Sequence, residues 1–358
     1  MARIDTLANF LTDIATAIKN KTGKTDVITP ANFDTEIDSI EAGGGKYAPK
    51  FISFYYYTGT DLTEELANLD TSNITSMKNM FFETNNLTEP INFTGFDTSN
   101  VTSMESMFRR CGSTGANNFT ISMVDVDTSN VTNMNYMFYT TRARNIDVSG
   151  LNTSSVTSMT YMFNNAAYIS SLDLSHFDAT SLTTMERAFA SMSALTSLNL
   201  SNWDVPNLTN LSNLFSSSTK LTSFDVSTWK NMTGSFRFDN MFAYCSGLAS
   251  AKFPSYTFDV GNVVNMFRDC TSITSIDMSG ATSTTINSTA NMFYNCKALM
   301  YLDIRNLHFD AVTNSSGMFT NVSADCEIIV ADDTAKEWVL AIRSDFTNVK
   351  TVAELEAA

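Results

Sequence analysis

The sequence predicts an α/β solenoid, in which repeated units of a β-strand and a short helix stack and share one hydrophobic core. A recurring phrase, a short alternating segment between its copies, and the composition lead to this prediction. Apolar residues make up 43% of the chain and charged residues only 16%. Such a chain can bury a long core, while Ser, Thr and Asn supply much of its polar surface.

The recurring phrase ends in a phenylalanine, called the repeat phenylalanine below. It reads LDTSNITSMKNMF ending at Phe81, FDTSNVTSMESMF ending at Phe108 and VDTSNVTNMNYMF ending at Phe138. Further copies end at Phe163, Phe189, Phe215, Phe242, Phe267, Phe293 and Phe319. The ten copies recur about every 26 residues, which is the period of leucine-rich repeats.

Within the phrase, apolar residues are spaced as on one face of a short helix. In the second copy they are Val101, Met104, Met107 and Phe108. Ser99 or Asn100 can cap the start of such a helix, and Asp97 can close an Asx turn before it. We therefore expect a strand, a turn, a short helix and a turn in each unit.

The strand lies between successive phrases, where apolar and polar residues alternate. The segments SLDLS, SLNLS and SIDMS begin at Ser171, Ser197 and Ser275. Alternation of this kind is typical of a half-buried strand. Stacked units should pair these strands into a parallel sheet, and ten rungs about 4.8 Å apart would span roughly 50 Å.

The two ends of the chain depart from the repeat. Residues 1–45 carry apolar residues at heptad spacing, which are Ile4, Leu7, Leu11, Ile14 and Ile18. They predict either an oligomerising or attachment helix or a helix packed on a shorter one near residues 31–40, and both interpretations stay open. Three glycines at 43–45 form an expected joint. Residues 46–326 are then the solenoid and residues 327–358 its C-terminal cap.

Both open ends of the solenoid need capping units that shield the core. FISFYYY at 51–57, followed by DLTEELANL, is the expected N-terminal cap. EIIV at 327–330, followed by DTAKEWVLAIRSDF, is the expected strand and helix of the C-terminal cap.

The phrase FDTSNVT-x-M-x-x-MF, followed by a strand such as LTSLDLS, resembles the BspA-type leucine-rich-repeat surface-protein family. The resemblance covers about residues 50–330 and weakens at SFRFDNMF and STTINSTANMF. Members are commonly bacterial surface proteins and adhesins, so the resemblance implies recognition of a surface molecule.

A second resemblance concerns the N-terminal segment LANFLTDIATAIKNKTGKTDVITPANFDTEIDSI. It is similar to a module near the N-terminus of phage tail, baseplate and fibre proteins, which implies attachment to other virion proteins. The start of the chain also does not read as a secretory signal. Together these points predict a bacteriophage virion protein, assembled in the host cytoplasm, that displays the solenoid for recognition of a host surface. The alternatives are a bacterial surface adhesin and a purely architectural virion or capsid decoration protein.

The same observations limit the partners. A homo-oligomer and a bacterial cell-surface glycan or protein are the expected ones. The net charge of −15 disfavours nucleic acid. No apolar stretch approaches the roughly 20 residues that span a bilayer, so we expect no membrane insertion.

No catalytic, metal or cofactor motif is visible, so we expect neither an enzyme nor a cofactor protein. The cysteines lack the close pairs of zinc sites, and we expect buried free thiols, with a disulfide between neighbouring repeats as the alternative. The repeated aspartates at 97, 127, 178 and 204 should each satisfy their own turn, with a cation ladder as the alternative.

A ligand site should use residues that depart from the consensus of the repeat. Those we select are Arg109, Arg110, Tyr139, Arg142, Arg144 and Tyr168. Aromatic and polar side chains suit saccharides, and arginine suits anionic wall polymers. The alternative is that all six are ordinary solvated turn residues. Trp203 and Trp229 occupy a consensus aromatic position and are expected in the core.

Overall fold

The computed structural model describes residues 53–67, 69–115, 119–254, 258–283 and 286–357. The chain divides into two units, Met1–Pro49 and Lys50–Ala358, and the second contains every element given below. The heptad seam Ile4, Leu7, Leu11, Ile14 and Ile18 and the glycine joint lie outside the described residues. Their roles in oligomerisation and attachment therefore stay predictions.

The described residues contain short strands and three helices. The strands are β1 (Thr120–Ser122), β2 (Asn145–Asp147), β3 (Ser171–Asp173), β4 (Ser197–Asn199), β5 (Ser223–Asp225), β6 (Ser235–Arg237), β7 (Ser250–Lys252), β8 (Phe258–Asn262), β9 (Ser275–Asp277), β10 (Ala281–Thr282), β11 (Tyr301–Asp303), β12 (Glu327–Val330) and β13 (Val349–Thr351). The helices are α1 (Thr63–Ala67), α2 (Asp333–Ile342) and α3 (Val352–Glu356).

The strands pair in parallel and follow the order of the repeats. The largest sheet has the order β13-β12-β11-β9-β7-β5, and smaller ones are β10-β8-β6, β1-β2 and β3-β4. A second ladder of single parallel bridges runs from Ser76 through Ser103, Asn133, Ser158, Thr184 and Asn210 to Arg237. These ladders confirm the predicted parallel solenoid.

The repeat phenylalanines form a continuous stack through the core. Neighbouring rings from Phe81 to Phe319 are stacked, with centroids 5.1 to 5.9 Å apart. Phe108, Phe138 and Phe163 are fully buried. Offset stacking of this kind adds to the hydrophobic gain of burial, so each ring ties its rung to the next.

The expectation of a short helix in each phrase is wrong, because the phrase forms a run of turns. Alternate N–H groups close turns, as from Met80 to the Met77 carbonyl at 3.2 Å. The N–H groups between them donate to carbonyls of the next rung. For example, the N–H of Asn79 donates to the Glu105 carbonyl at 3.0 Å. Residues two before and two after each repeat phenylalanine have positive φ, for example 57° at Ser106 and 56° at Arg110. Left-handed residues interrupt a right-handed helix, so the chain turns toward the neighbouring rung instead.

The polar residues of the phrase hold the rungs together. In the second copy Asp97 accepts hydrogen bonds from the N–H and hydroxyl of Ser99, at 3.1 and 2.6 Å. The N–H of Asp97 donates to the hydroxyl of Thr71 in the preceding rung at 2.7 Å. The side chain of Asn130 reaches the Ser99 carbonyl at 2.8 Å. Packing and hydrogen bonding between rungs therefore use the consensus residues.

The C-terminal cap consists of β12, α2, β13 and α3. Asp332 caps α2 by accepting from the N–H of Ala335 at 2.9 Å. The ring of Trp338 stacks on Phe309 of the last repeat with centroids 4.2 Å apart. Arg343 donates to the carbonyls of Phe319 and Val322 and so joins the end of α2 to the last turns. At the other end, Leu62 just before α1 and Leu66 within it are buried in the hydrophobic core.

Candidate functional site

One column of the solenoid changes residue type from rung to rung. We call it the flanking column, and it comprises the residues directly after each repeat phenylalanine: Phe82, Arg109, Tyr139, Asn164, Ala190, Ser216, Ala243, Arg268, Tyr294 and Thr320. Their carbonyls accept from the preceding rung, as Arg109 does from Glu83 and Tyr139 does from Arg110, both at 2.9 Å. The backbone therefore places these residues in register, one per rung.

Arg109 lies among three aromatic rings at one end of this column. Its Cζ atom is 5.2 Å from the ring centroid of Phe82, 5.6 Å from Tyr136 and 5.1 Å from Tyr139. A guanidinium over aromatic faces is attracted by their quadrupoles. The arrangement holds a partly buried cation that, among the residues the structure describes, forms no ion pair with a carboxylate.

The rings and cations continue along the neighbouring rungs. Tyr136 stacks on Tyr161 with centroids 4.8 Å apart, and the Cζ atom of Arg187 is 5.5 Å from the Tyr161 centroid. On the other side, Tyr55 stacks on Phe82 at 4.8 Å and is 43% exposed. We call this group the aromatic cluster, and it comprises Tyr55, Tyr56, Phe82, Arg109, Tyr136, Tyr139, Tyr161 and Arg187.

The two arginines of the aromatic cluster retain unused hydrogen-bonding capacity. The Nε atoms of Arg109 and Arg187 are buried and have no hydrogen-bond partner, and neither side chain forms an ion pair within the described ranges. Nearby carboxylates have their own partners, since Glu83 pairs with Arg110 at 2.8 Å and Glu105 with Lys78 at 3.0 Å. Guanidinium groups stay charged at every physiological pH. The cluster can therefore accept an anionic group from a ligand.

Four members of the aromatic cluster occupy strained backbone positions, and the first is Tyr56, with φ of 59°. Tyr136, Tyr161 and Arg187 lie two residues before the repeat phenylalanine, with φ of 56°, 58° and 55°. Most other copies have asparagine there, including Asn79, Asn213, Asn240, Asn265 and Asn291. Asparagine tolerates the left-handed region, whereas a bulky residue there costs about 1–2 kcal/mol. Strain that packing does not require is typical of a functional surface.

Only part of the predicted ligand-binding set meets in this cluster. Arg109 and Tyr139 do, whereas Arg110 is bound to Glu83. Arg144 and Tyr168 form a separate pair, with 5.2 Å from the Arg144 Cζ atom to the tyrosine centroid.

The remaining predicted residue, Arg142, is partly buried, and its N–H donates to the Cys111 carbonyl at 2.9 Å. Sequence reasoning missed Phe82, Tyr136, Tyr161 and Arg187. The signal for Tyr136, Tyr161 and Arg187 was the loss of asparagine from a position that it occupies in five of the ten copies, whereas Phe82 lies outside that position.

The cysteines are buried free thiols, as expected. Cys245, Cys270 and Cys296 each donate from Sγ to the carbonyl of the preceding repeat phenylalanine, at 3.0, 3.1 and 3.1 Å. Burial raises the pKa of Cys245 and Cys296 to about 12. Thiols in this state are poor nucleophiles and serve the packing of the rungs.

The repeated aspartates mostly satisfy their own turns, which confirms the prediction for Asp97, Asp127 and Asp178. Hydrogen bonds from Ser99 to Asp97 and from Ser129 to Asp127 lower the pKa of those carboxyls. The prediction is wrong for Asp204, which accepts from Asn231 of the next rung at 2.8 Å, because its own turn has Pro206 in place of the donor. Within the described ranges, no three His, Cys, Asp or Glu side chains could together hold a metal ion.

A cavity of about 430 Å³ lies beside α2 and is lined by residues that include His308, Phe309, Asp332 and Trp338. It has no unpaired cation comparable to Arg109, so the aromatic cluster is the better candidate. In the part of the chain that the structure describes, no helix combines the length and apolar character of a membrane span.

Several solved leucine-rich-repeat structures are similar to this chain at low identity. An internalin from Listeria monocytogenes is 13% identical, with 94% of each chain covered and a TM-score of 0.27. A leucine-rich cell surface protein from Faecalibacterium prausnitzii is 11% identical, with 80% of this chain and 79% of that chain covered and a TM-score of 0.24.

A third similar structure is TLR13 in complex with ssRNA13, which is 12% identical with a TM-score of 0.26. The match covers 79% of this chain but only 44% of the TLR13 chain. At such scores these likenesses decide nothing about function, and no curated protein matches the sequence significantly.

The repeats themselves match a family model described as "Mycoplasma protein of unknown function, DUF285". The matches cover residues 51–173, 168–252 and 237–330, which together take in most of the chain and all ten repeat phenylalanines. With the stacked rungs in place, the chain therefore belongs to the DUF285 family.

Proposed function

We propose that this protein is a leucine-rich-repeat surface protein that recognises a bacterial cell surface through the aromatic cluster. The observation that carries the proposal is the pair of buried Nε atoms without partners, on Arg109 and Arg187, beside partly exposed aromatic rings. Membership of a repeat family and the expectation from BspA-type proteins support adhesion as the role. The proposal assigns no catalytic step and no cofactor to the chain.

In its finer form, the proposal places the protein in a bacteriophage virion. The support is the likeness of the N-terminal segment to modules of phage tail, baseplate and fibre proteins, together with a solenoid suited to display. Residues 1–45 would then bind other virion proteins or form a homo-oligomer. A bacterial surface adhesin fits the solenoid equally well and is the alternative.

Binding of the purified full chain to intact bacteria tests the recognition function. We expect the double variant Arg109→Ala/Arg187→Asn to bind at least about tenfold more weakly, because two charge-assisted contacts are lost. Arg237→Ala is the matched control, since this exposed arginine pairs with Asp239 at 3.4 Å and lies outside the aromatic cluster. Absence of binding to a broad panel of cells, with binding to virion proteins retained, would favour the architectural alternative.

The location of the protein distinguishes a virion protein from a bacterial surface adhesin. Gold-labelled antibody against the solenoid should decorate purified phage particles if the protein belongs to a virion. Label on intact bacterial cells, with none on phage particles from the same culture, would instead establish the adhesin.

A further inference from the structure

A second group of rings around an arginine lies farther along the flanking column. The Cζ atom of Arg268 is 5.6 Å from the ring centroid of Tyr244 and 5.2 Å from that of Tyr294. Tyr244 is 46% exposed. We call these three residues the distal cluster, and they repeat the chemistry of the aromatic cluster.

Both clusters lie on the same line of rungs. The intervening carbonyls accept from the preceding rung without a break, at Asn164, Ala190, Ser216 and Ala243, over 2.7 to 2.8 Å. Arg109 and Arg268 belong to the second and eighth copies of the phrase and are thus six rungs apart, about 29 Å at the usual strand spacing. Five residues of the flanking column lie between Arg109 and Arg268. Tyr139 belongs to the aromatic cluster, Asn164, Ala190 and Ala243 are buried, and Ser216 is partly buried, so no bulky side chain of the column stands between the two clusters.

The distal cluster also offers a partly unused cation. The Nε atom of Arg268 is 3.3 Å from an oxygen of Asp269, whose other oxygen accepts from Asn295 at 2.6 Å. Within the described residues, no protein acceptor bonds the Nη atoms of Arg268. The chain as a whole is acidic, with a net charge of −15, so two groups that combine a cation with aromatic rings on the same column depart from its overall charge.

We propose that both clusters bind a single chain of an acidic envelope polysaccharide laid along the flanking column. This inference rests on the proposed function and names its ligand class. Aromatic rings offer flat apolar faces to sugar rings, and guanidinium groups bind carboxylate or phosphate groups. A small sugar cannot reach both clusters, whereas a linear polymer can follow the column of rungs from one cluster to the other.

Two-site attachment predicts a strong dependence on polymer length. Once one cluster is bound, the second binds the same chain at an effective concentration near the millimolar range. Chains longer than about 29 Å should therefore bind at least about 100-fold more tightly than shorter fragments. Beyond that span the affinity should rise little further.

The experiment uses the full chain and envelope polysaccharide purified from a bacterium that the protein binds. Partial hydrolysis and sizing give fractions shorter and longer than the span, and calorimetry gives their affinities. Carbodiimide-coupled reduction removes carboxylates and hydrofluoric acid removes phosphodiesters. Loss of binding after one of these treatments therefore identifies the anionic group. Binding that survives both treatments contradicts an acidic ligand.

The variant Arg268→Ala/Tyr294→Ala should abolish the length dependence, and the number of short fragments bound per protein should fall from two to one because only the aromatic cluster remains. Arg237→Ala again serves as control, and circular dichroism checks the fold of each variant. Equal affinities for short and long fragments would overturn the inference. So would loss of binding after the cells are treated with protease, if the purified polysaccharide also fails to bind the protein. Failure to bind any cell would instead count against the proposed function itself.

Discussion

At the scale of single residues, the left-handed positions decide which side chains belong to the fold and which to the surface. Asparagine fills the position two residues before the repeat phenylalanine in five of the ten copies because it tolerates positive φ. Positions where a bulkier residue appears are therefore costly for the fold. Tyr136, Tyr161 and Arg187 are such positions, and all three belong to the aromatic cluster.

Thr140 provides a direct measure of this cost. It is β-branched, has φ of 54°, and occupies a position where Asn165 and Asn295 occur in other rungs. We expect Thr140→Asn to raise the free energy of unfolding by about 1 kcal/mol, because the strain is relieved. Urea denaturation measures the change, and Thr132→Asn, at an exposed position without positive φ, should bring no gain. An equal gain in both variants would refute the strain explanation.

The buried thiols predict a loss of stability in alkali. Burial raises the pKa of Cys245 from 9.0 to about 12, so the native thiol keeps its proton where the unfolded thiol loses it. Its contribution is complete below pH 9 and is lost as the pH rises toward 12. Over that window Cys245→Ala should reduce the fall in unfolding free energy by about 1.4 kcal/mol per pH unit.

Denaturation of both proteins at several pH values from 8 to 12 measures the two slopes. The comparison uses slopes, so the smaller side chain of the variant does not affect it. Identical slopes would show that this thiol already ionises in the native state.

At the scale of elements, the C-terminal cap protects the last repeats. The guanidinium of Arg343 bonds the carbonyls of Phe319 and Val322 and pairs with Asp345 at 2.8 Å. A charged group bonded to carbonyls contributes about 1.5–3 kcal/mol, more than an exposed ion pair. The end of α2 is therefore held mainly by one side chain.

Removal of that side chain should loosen the cap locally. In Arg343→Ala we expect faster amide hydrogen exchange in α2 and in the turns near Phe319, with β3 and β4 unchanged. Lys336→Ala is the control, since it removes an exposed pair with Glu354 and should alter exchange little. Faster exchange spread evenly along all rungs would contradict a local role for Arg343.

The sequence allowed the strands and the core to be predicted, because the apolar residues of both recur or alternate visibly. It misled about the phrase, since the spacing of Val101, Met104, Met107 and Phe108 fits a helix as well as successive turns. The discriminating signal was the recurring asparagine at left-handed positions such as Asn79 and Asn213.

The candidate site was harder to predict than the core. The contact of Arg109 with Phe82 joins residues that are 27 positions apart in the sequence. This separation is not constant, because neighbouring repeats are offset by 27, 30 or 25 residues. The register between rungs therefore had to be known before the rings could be grouped. Departures from the consensus revealed Arg109 and Tyr139 but not the rings around them.

At the scale of the whole molecule, each rung contacts only its neighbours, so an interior unit can be removed without exposing the core. Residues 190–215 form one such unit, between Phe189 and Ser216, and lie between the two clusters. We expect the protein without this unit to keep its far-ultraviolet circular dichroism spectrum. The distance between the clusters should fall by one rung, about 4.8 Å.

Polysaccharide binding shows whether the distance between the clusters sets the length of fragment that binds tightly. The shortest fragment that binds tightly should become shorter after the deletion and longer after duplication of residues 190–215. The two altered chains are matched controls for each other, because they change the span in opposite directions. If the shortest tightly binding fragment has the same length for both altered chains, binding does not depend on the distance between the clusters, and the polymer does not lie along the column.

The hydrogen bonds of the phrase join each copy to the same groups of the next, as with Asn130 on the Ser99 carbonyl and Thr102 on the Thr75 carbonyl. Each unit that keeps these groups thus carries both halves of a self-complementary interface. Such copies can follow one another in any order, so we expect unequal recombination within the gene to yield proteins that still fold. If the proposed function holds, gain and loss of units would change the residues that face the ligand and the length of polymer that the protein can span.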